Sequence, residues 1–408
     1  MAQARSASLI ALAALILVAC DVTATPPTGS AAPASAPAGG PGAAVAPRTS
    51  EPSPLASGRP GIHTTAVGSI PSLFRYVALD TPLVDGVHTR LWLMDLSSRR
   101  APVVAAEWDA PASPVGGWSS SADGRVLLVT AQGARARVAL NVVRPETADT
   151  RVLFEDPAIT VVAARISPDG SRYAFTKYPA AGGNDQGIWA GRVSGGDALR
   201  LTPAFTSSTV PQMSAGWSLD NAWLAYTIDV DAPTPFSEMW VVRSDGGTTS
   251  RVGPGDRASW RKAEPQLLMS ASGETGSVRA ADLSGPQPRG IDLVGDLKKT
   301  FIPAIAWNPT SDVFMYVESD GPDREAANAI RILPVTGSPS GVFGIGGSTT
   351  LKVTAQGAFS APEWSADGTI LSALAAGDSV RIPIVDLLTG RQLSVLCRRG
   401  GTPPADCL

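Results

Sequence analysis

The sequence predicts an all-β fold, a β-propeller of four-stranded antiparallel blades, on three observations. A large apolar residue followed by a Ser-x-Asp-Gly turn recurs down the chain, the recurrence has a period of roughly 43 to 57 residues, and short β-rich runs separated by turn residues fill each interval. That period suits a propeller blade better than a helical repeat, and helix-period apolar spacing is hard to find anywhere after residue 60. Seven units are counted, with six as the alternative.

Residues 1–20 stand outside the fold. Arg5 is a weak positive n-region, Leu9 to Val18 is an apolar stretch too short to span a bilayer comfortably, and Leu17-Val18-Ala19-Cys20 closes it. This closing motif resembles the lipobox of bacterial lipoproteins. The resemblance implies cleavage before Cys20, a diacylglycerol on its thiol, and an extracytoplasmic protein lipid-anchored to the bacterial cell membrane; the alternative is an ordinary signal peptide with an incidental Cys. Two or more acyl chains hold a protein stably where one holds it marginally. Residues 21–60 are Pro, Ala, Gly, Ser and Thr with almost no large apolar side chain, so they bury too little surface to offset the entropy of ordering. Such a tether spans roughly 35 Å if coil-like.

Residues 61–397 are read as the propeller and 398–408 as a C-terminal tail. The first unit is degenerate: Thr64 to Ile70 is its candidate inner strand, Phe74 to Leu79, Thr89 to Leu96 and Pro102 to Ala106 are strands, and Asp80 to His88 is a polar loop. The later units carry their anchors at Trp118, Ile166, Trp217, Trp260, Trp307 and Trp364. Small residues precede each anchor, as in Ala163-Ala164 and Ala215-Gly216, because strands near a propeller axis converge. The anchor fills the widening gap between blades with its large apolar area. In the turn, Asp accepts from backbone two residues on, and Gly supplies the positive φ that closes the hairpin.

The Trp-Ser-x-Asp-Gly element, followed by an apolar strand, an aromatic-bearing strand and an Asp-x-x-Gly-Gly turn, resembles the WD-like repeat of TolB-type β-propellers and of the propeller domains of prolyl oligopeptidase relatives. It is clearest at Ile166 to Thr202, Trp217 to Val252 and Trp364 to Leu396, and weakest in the first unit and at Trp260-Arg261-Lys262-Ala263-Glu264, which lacks the Asp-Gly.

Few residues point to chemistry. The net charge of -3 and the lack of any Lys/Arg block predict no nucleic-acid groove. The chain has no Gly-x-Ser-x-Gly elbow, phosphate loop, His-Glu-x-x-His or Cys-x-x-Cys. Its two histidines, His63 and His88, fall in the degenerate unit and read as surface side chains in loops without a carboxylate cluster. Gly344-Ile345-Gly346-Gly347 reads as a flexible loop. Asp229 and Asp231 with Glu238, and Glu318 and Asp320 with Asp323 and Glu325, form acidic loops that permit calcium, although solvated carboxylates are the simpler reading. Arg165 and Glu363 lie in inner strands and are candidates for ligand or peptide recognition beside the axis, since a charge there must be solvated or paired. Cys397 and Cys407 either form a disulfide that pins the tail or remain unpaired thiols. The expected function is a non-catalytic envelope scaffold that binds another envelope protein or a peptide. The alternative is a propeller enzyme or carbohydrate-binding module acting on extracellular glycans.

Overall fold

The computed structural model describes residues 61–398 except 84–85, 98–101, 112–116, 132–137, 158, 180–185, 206–210, 231–235, 262–264, 272–274, 286, 299–301, 303, 319–328, 337–343, 346–350, 355–358, 376–378 and 387–391. Cys20, the leader, the tether and Cys407 therefore lie outside the described residues, as do Asp231 and Asp320. Strands and turns make up the described part, and no helix occurs among those residues.

The strands form seven antiparallel sheets. Blade 1 holds β1 (Ile62–Thr64), β2 (Phe74–Leu83), β3 (Gly86–Asp95) and β4 (Val103–Pro111), and blade 2 holds β5 (Gly117–Ser120), β6 (Leu127–Ala131), β7 (Ala139–Arg144) and β8 (Asp149–Glu155). Blade 3 comprises β9 (Ile159–Ile166), β10 (Arg172–Pro179), β11 (Gly187–Arg192) and β12 (Leu199–Arg200); blade 4 comprises β13 (Gln212–Trp217), β14 (Trp223–Val230), β15 (Phe236–Arg243) and β16 (Ser250–Pro254). Blade 5 runs through β17 (Arg257–Trp260), β18 (Gln266–Ala271), β19 (Thr275–Asp282) and β20 (Arg289–Lys298). Blade 6 has β21 (Ala304–Trp307), β22 (Val313–Glu318) and β23 (Ala329–Thr336), with two short strands, β24 (Gly344–Ile345) and β25 (Leu351–Thr354), sharing the place beside β23. Blade 7 ends the series with β26 (Phe359–Trp364), β27 (Ile370–Ala375), β28 (Ser379–Asp386) and β29 (Gln392–Arg398). The Gly344-Ile345 pair, expected in a loop, is thus a strand.

First strands of successive blades lie against one another, β5 on β9, β9 on β13, β13 on β17, β17 on β21 and β21 on β26. The anchors lock this inner layer. Trp217, Trp260, Trp307 and Trp364 are all buried. The indole N–H of Trp217 donates to the Arg165 carbonyl at 3.1 Å, that of Trp260 to Gly216 at 3.0 Å, and that of Trp364 to Ala306 at 3.3 Å. Each acceptor is the residue just before the anchor of the preceding blade. Where that residue is Ser, its hydroxyl takes the next anchor's backbone N–H: Ser119 accepts from Ile166 at 2.9 Å and Ser259 from Trp307 at 3.0 Å. Anchors therefore bond blades together as well as filling space.

The turn has a hub that sequence reasoning assigned to Asp and Gly alone. In blade 3 the Ser167 hydroxyl donates to Asp169 at 2.6 Å and accepts the Arg172 N–H at 2.9 Å, while Asp169 accepts the Ser171 N–H at 3.0 Å. Ser121, Ser218 and Ser365 repeat the arrangement, and Asn308 replaces it in blade 6. Burial pushes the Asp169 carboxyl pKa up, yet the hydrogen bonds from Ser167 and Ser171 outweigh this and hold it below the usual carboxylate range; Asp367 behaves alike with Ser365 and Thr369. A depressed folded pKa contributes stability that is present above the unfolded value and lost as pH falls through the folded one. Stability is therefore expected to drop on acidification below about pH 4, and Asp169→Asn should flatten that drop in acid titrations followed by circular dichroism. Gly170 adopts φ +70°, and a Cβ there would stand 2.8 Å from Val126 Cγ2. Gly170→Ala is expected to cost about 1–3 kcal/mol in chemical denaturation. Asn221, at φ 60°, takes the equivalent glycine place in blade 4.

Blade 1 breaks the pattern, and three expectations change with it. Its strand order is β1-β4-β3-β2, so the segment starting at Thr64 does not supply an inner strand; β1 pairs with β4 on the outer edge, and β2 is left innermost. The expected Asp80–His88 loop is instead the meeting of two ten-residue strands, β2 and β3. Trp118 also proves to be no anchor. Its turn begins at Ser121, so Ser120 holds the anchor position and Trp118 sits two residues earlier on the same face, edge-on to Tyr76 at 5.9 Å.

Candidate functional site

The blade that departs from the repeat also gathers ionisable side chains. In β2, Arg75 opposes Met94, and the unbroken β2–β3 register puts Trp92, Arg90 and His88 on the same face. In β4, Glu107 lies opposite Arg90 and Asp109 opposite His88, while His63 of β1 lies opposite Glu107. One face thus carries Arg75, His63, His88, Arg90, Glu107 and Asp109. The other face carries Tyr76, Leu91, Leu93, Ala106 and Trp108, which pack with Leu127, Val129, Ala131 and Val143 of blade 2.

The polar face is internally paired. His88 Nδ1 lies 2.8 Å from Asp109 Oδ1 and its Nε2 lies 3.3 Å from Glu107 Oε2, and Arg90 Nη2 donates to the same Glu107 oxygen at 3.1 Å. Only the doubly protonated imidazole donates to both carboxylates. The Arg90 guanidinium also sits 5.8 Å from the centre of the Trp92 ring. All four side chains keep part of their surface in solvent, with Asp109 at 40% and Glu107 at 14%. The reading of His88 as a loop side chain without carboxylates is therefore corrected. Asp109 and Glu107 are about 20 residues away in sequence, and only the β3–β4 register brings them alongside.

Arg75 closes the ring. It is buried, its Nη1 donates to Ser372 Oγ of blade 7, and its Nε lies 3.9 Å from Glu363 Oε2. Burial lowers the guanidinium pKa and the Glu363 carboxylate opposes that shift. The β-register makes Arg75 the counterpart of Tyr173 and Leu224, which oppose the anchors Ile166 and Trp217. With no anchor of its own, blade 1 reaches blade 7 through a charged side chain.

Arg165 and Glu363, singled out for possible channel recognition, occupy the same repeat position, one residue before the anchor, and both meet the following blade. Arg165 Nη1 donates to the Ala164 carbonyl at 2.8 Å, and its stem packs on Gly216, where a Cβ would come within 3.1 Å of Arg165 Cγ. Burial lowers its guanidinium pKa. Asp229 is exposed at the end of β14 and accepts the Ser237 hydroxyl at 2.7 Å, while Glu238 pairs with Arg251 at 2.6 Å. Glu318 is the last residue of β22, and Cys397 lies in β29 opposite Val380. Among the described residues no group of three or more His, Cys, Asp or Glu side chains is arranged to hold a metal ion.

Six four-stranded sheets and one five-stranded sheet, six of them packed through their first strands and the irregular first blade at the join, define a β-propeller. Its fold is similar to that of a prolyl endopeptidase, at 11% identity over 80% of this chain and 50% of that one with TM-score 0.51, and of prolyl oligopeptidase B from Galerina marginata, at 14% identity over 79% and 50% with TM-score 0.50. The chain spans about half the length of these enzymes. TolB from Acinetobacter baumannii matches at 13% identity over 80% of each chain with TM-score 0.40. No family model matches the sequence, and no curated protein matches it.

Proposed function

We propose that this protein is an extracytoplasmic lipoprotein, held to the bacterial membrane through Cys20, whose propeller serves as a scaffold for another envelope protein or peptide. The observation that carries this reading is the polar face of blade 1. His88, Arg90, Glu107 and Asp109 are held in fixed geometry by one another and by paired strands while remaining partly open to solvent. Ordered, partly exposed charges of both signs on a rigid sheet suit recognition of a polar protein surface, where complementarity sets specificity and encounter rate. The lipobox resemblance and the Pro/Ala/Gly-rich residues 21–60 support the placement outside the cytoplasm.

Two measurements test it. Cys20→Ala should move the protein from the membrane to the soluble fraction, and retention at full level would contradict the anchor. The tagged full chain, purified from its native envelope, should retain one protein reproducibly, and the His88→Ala/Glu107→Gln double variant should retain severalfold less while keeping its circular dichroism spectrum. Equal retention, or a thermal shift with saccharides in place of a protein partner, would sink the scaffold reading.

A further inference from the structure

We infer that the groove between blades 2 and 3, at Arg144, Asp149 and Arg151, binds a small acidic α-amino acid, with its two carboxylates on the guanidiniums and its ammonium on Asp149. This goes beyond the scaffold reading and does not rest on it. The groove holds a cavity of about 230 Å³, lined by Val142, Arg144, Asp149 and Arg151 from blade 2 and by Val193 and Ser194 from blade 3. The matching space at Trp223, Val241 and Ser250, between blades 4 and 5, measures about 60 Å³ and is too small for such a molecule. Arg144, Asp149, Arg151 and Ser194 are exposed, so the cavity opens to solvent, while Val142 and Val193 are buried and close its base.

The register sets the charges side by side. Arg151 lies opposite Val142 and Asp149 opposite Arg144, so all four side chains stand on the face of β7 and β8 that packs on blade 3. Arg144 and Arg151 are diagonal neighbours, a separation of roughly 7–8 Å that long side chains span. Arg151 Nη1 donates to the Ser194 carbonyl at 3.4 Å, which carries its guanidinium across to blade 3. Asp149 Oδ2 accepts the Thr147 hydroxyl at 2.7 Å, which holds the carboxylate beside the turn.

The neighbouring blades show that this set is particular to blade 2. Thr147, Gly195 and Gly246 donate their N–H to the carbonyls of Arg144, Arg192 and Arg243, so these three arginines share one repeat position. The place of Arg151, opposite Val142, is taken by Leu199 opposite Ala190 and by Ser250 opposite Val241. Arg243 is also engaged at home, 5.1 Å from the centre of the Trp223 ring and 3.5 Å from Asp245. Of the three blades, blade 2 alone brings two guanidiniums and a carboxylate to one cavity.

Those charges select the ligand. A guanidinium pairs with a carboxylate through two parallel N–H···O bonds. Asp149 beside the arginines opposes an anion that has no cationic group of its own, because like charges placed together are costly. An acidic α-amino acid carries the opposite set, two carboxylates and one ammonium, and its methylenes suit the two valines.

Isothermal titration of the full chain with glutamate tests the site, beside glutarate, which lacks the ammonium, and inorganic phosphate. Glutamate should bind saturably and about tenfold or more tighter than either. Arg144→Gln and Arg151→Gln should each weaken glutamate about tenfold or more, from a lost charge-assisted pair. Asp149→Asn should weaken glutamate and strengthen glutarate, a crossing that general surface charge does not produce. All three positions are exposed, and an unchanged circular dichroism spectrum checks the fold of each variant. No saturable binding of glutamate, equal binding of phosphate and glutamate, or the same change for glutamate and glutarate in Asp149→Asn would overturn the inference.

Discussion

Trp217→Ala is expected to lower the stability of the propeller by about 3–5 kcal/mol, the range for removing a large buried aromatic and leaving a cavity. The side chain is 4% exposed and belongs to the cluster with Ile188, Met213, Leu224 and Tyr226 that joins blades 3 and 4. Its removal also leaves the Arg165 carbonyl without the indole donor, and it strips the ring over which the Arg172 guanidinium sits at 5.2 Å. Trp217→Phe separates the contributions. It keeps most of the apolar area and loses the N–H, so it should cost about 1–2 kcal/mol from the missing interblade bond and the smaller ring. Urea titration followed by circular dichroism reads both, and equal costs for Ala and Phe would show that packing area is irrelevant to the anchor.

Arg75→Ala is expected to cost about 2–4 kcal/mol, from lost packing of a buried stem and from opening the only described polar link between blades 1 and 7. Replacement by an apolar side chain of similar length should recover most of this, because a buried ion pair exchanged for well-packed hydrophobic volume is often neutral. Arg75→Met should therefore lie within about 1 kcal/mol of the parent. The loss in Arg75→Ala should be local: hydrogen exchange is expected to quicken first in β2 and β27, at the seam, while β14 and β18 stay protected. Uniform quickening across all blades would show that the seam is not a separate weak point.

The fold was legible because its signals are short-range and repeated. The Ser167-Pro168-Asp169-Gly170 turn, its copies, and the alternating strands that leave them need only neighbours within a few residues, so local periodicity reports them directly. The same logic misplaced Trp118. A tryptophan near a Ser-rich turn looks like an anchor, but the offset to Ser121 is three residues where Trp217 to Ser218 is one, and a strict count of that offset would have exposed Ser120 as the true position. The irregularity of blade 1 has a visible trace too, since no Ser-x-Asp-Gly turn precedes Phe74.

The site was not legible to the same degree. His88 reads as a solvated loop side chain because its partners, Glu107 and Asp109, are distant in sequence; their meeting depends on the β3–β4 register, which a slip of one residue would undo by sending the carboxylates to the opposite face. Arg75 carries no signal in the sequence. A lone Arg at the start of a strand looks like a solvated charge, and only the closure of the ring onto Ser372 and Glu363 turns it into a buried link. Arg165 and Glu363 share one sequence feature, charge in an inner strand, and the structure gives them one shared position but different neighbours, Gly216 for one and Arg75 for the other.

What the sequence determined by itself is the blade: strand lengths, the Ser-hubbed turn, the anchor and the small residues that let inner strands converge, all written in local chemistry that each unit repeats. What only the tertiary structure decided is how the ring ends meet. Among the described residues no strand pairs with the inner edge of the first blade, its first segment lies on the outer edge, and a guanidinium and a polar face occupy the seam. That outcome depends on contacts across nearly 300 residues of chain, between Arg75 and Ser372, which no local pattern encodes because their energy exists only once the intervening blades are in place.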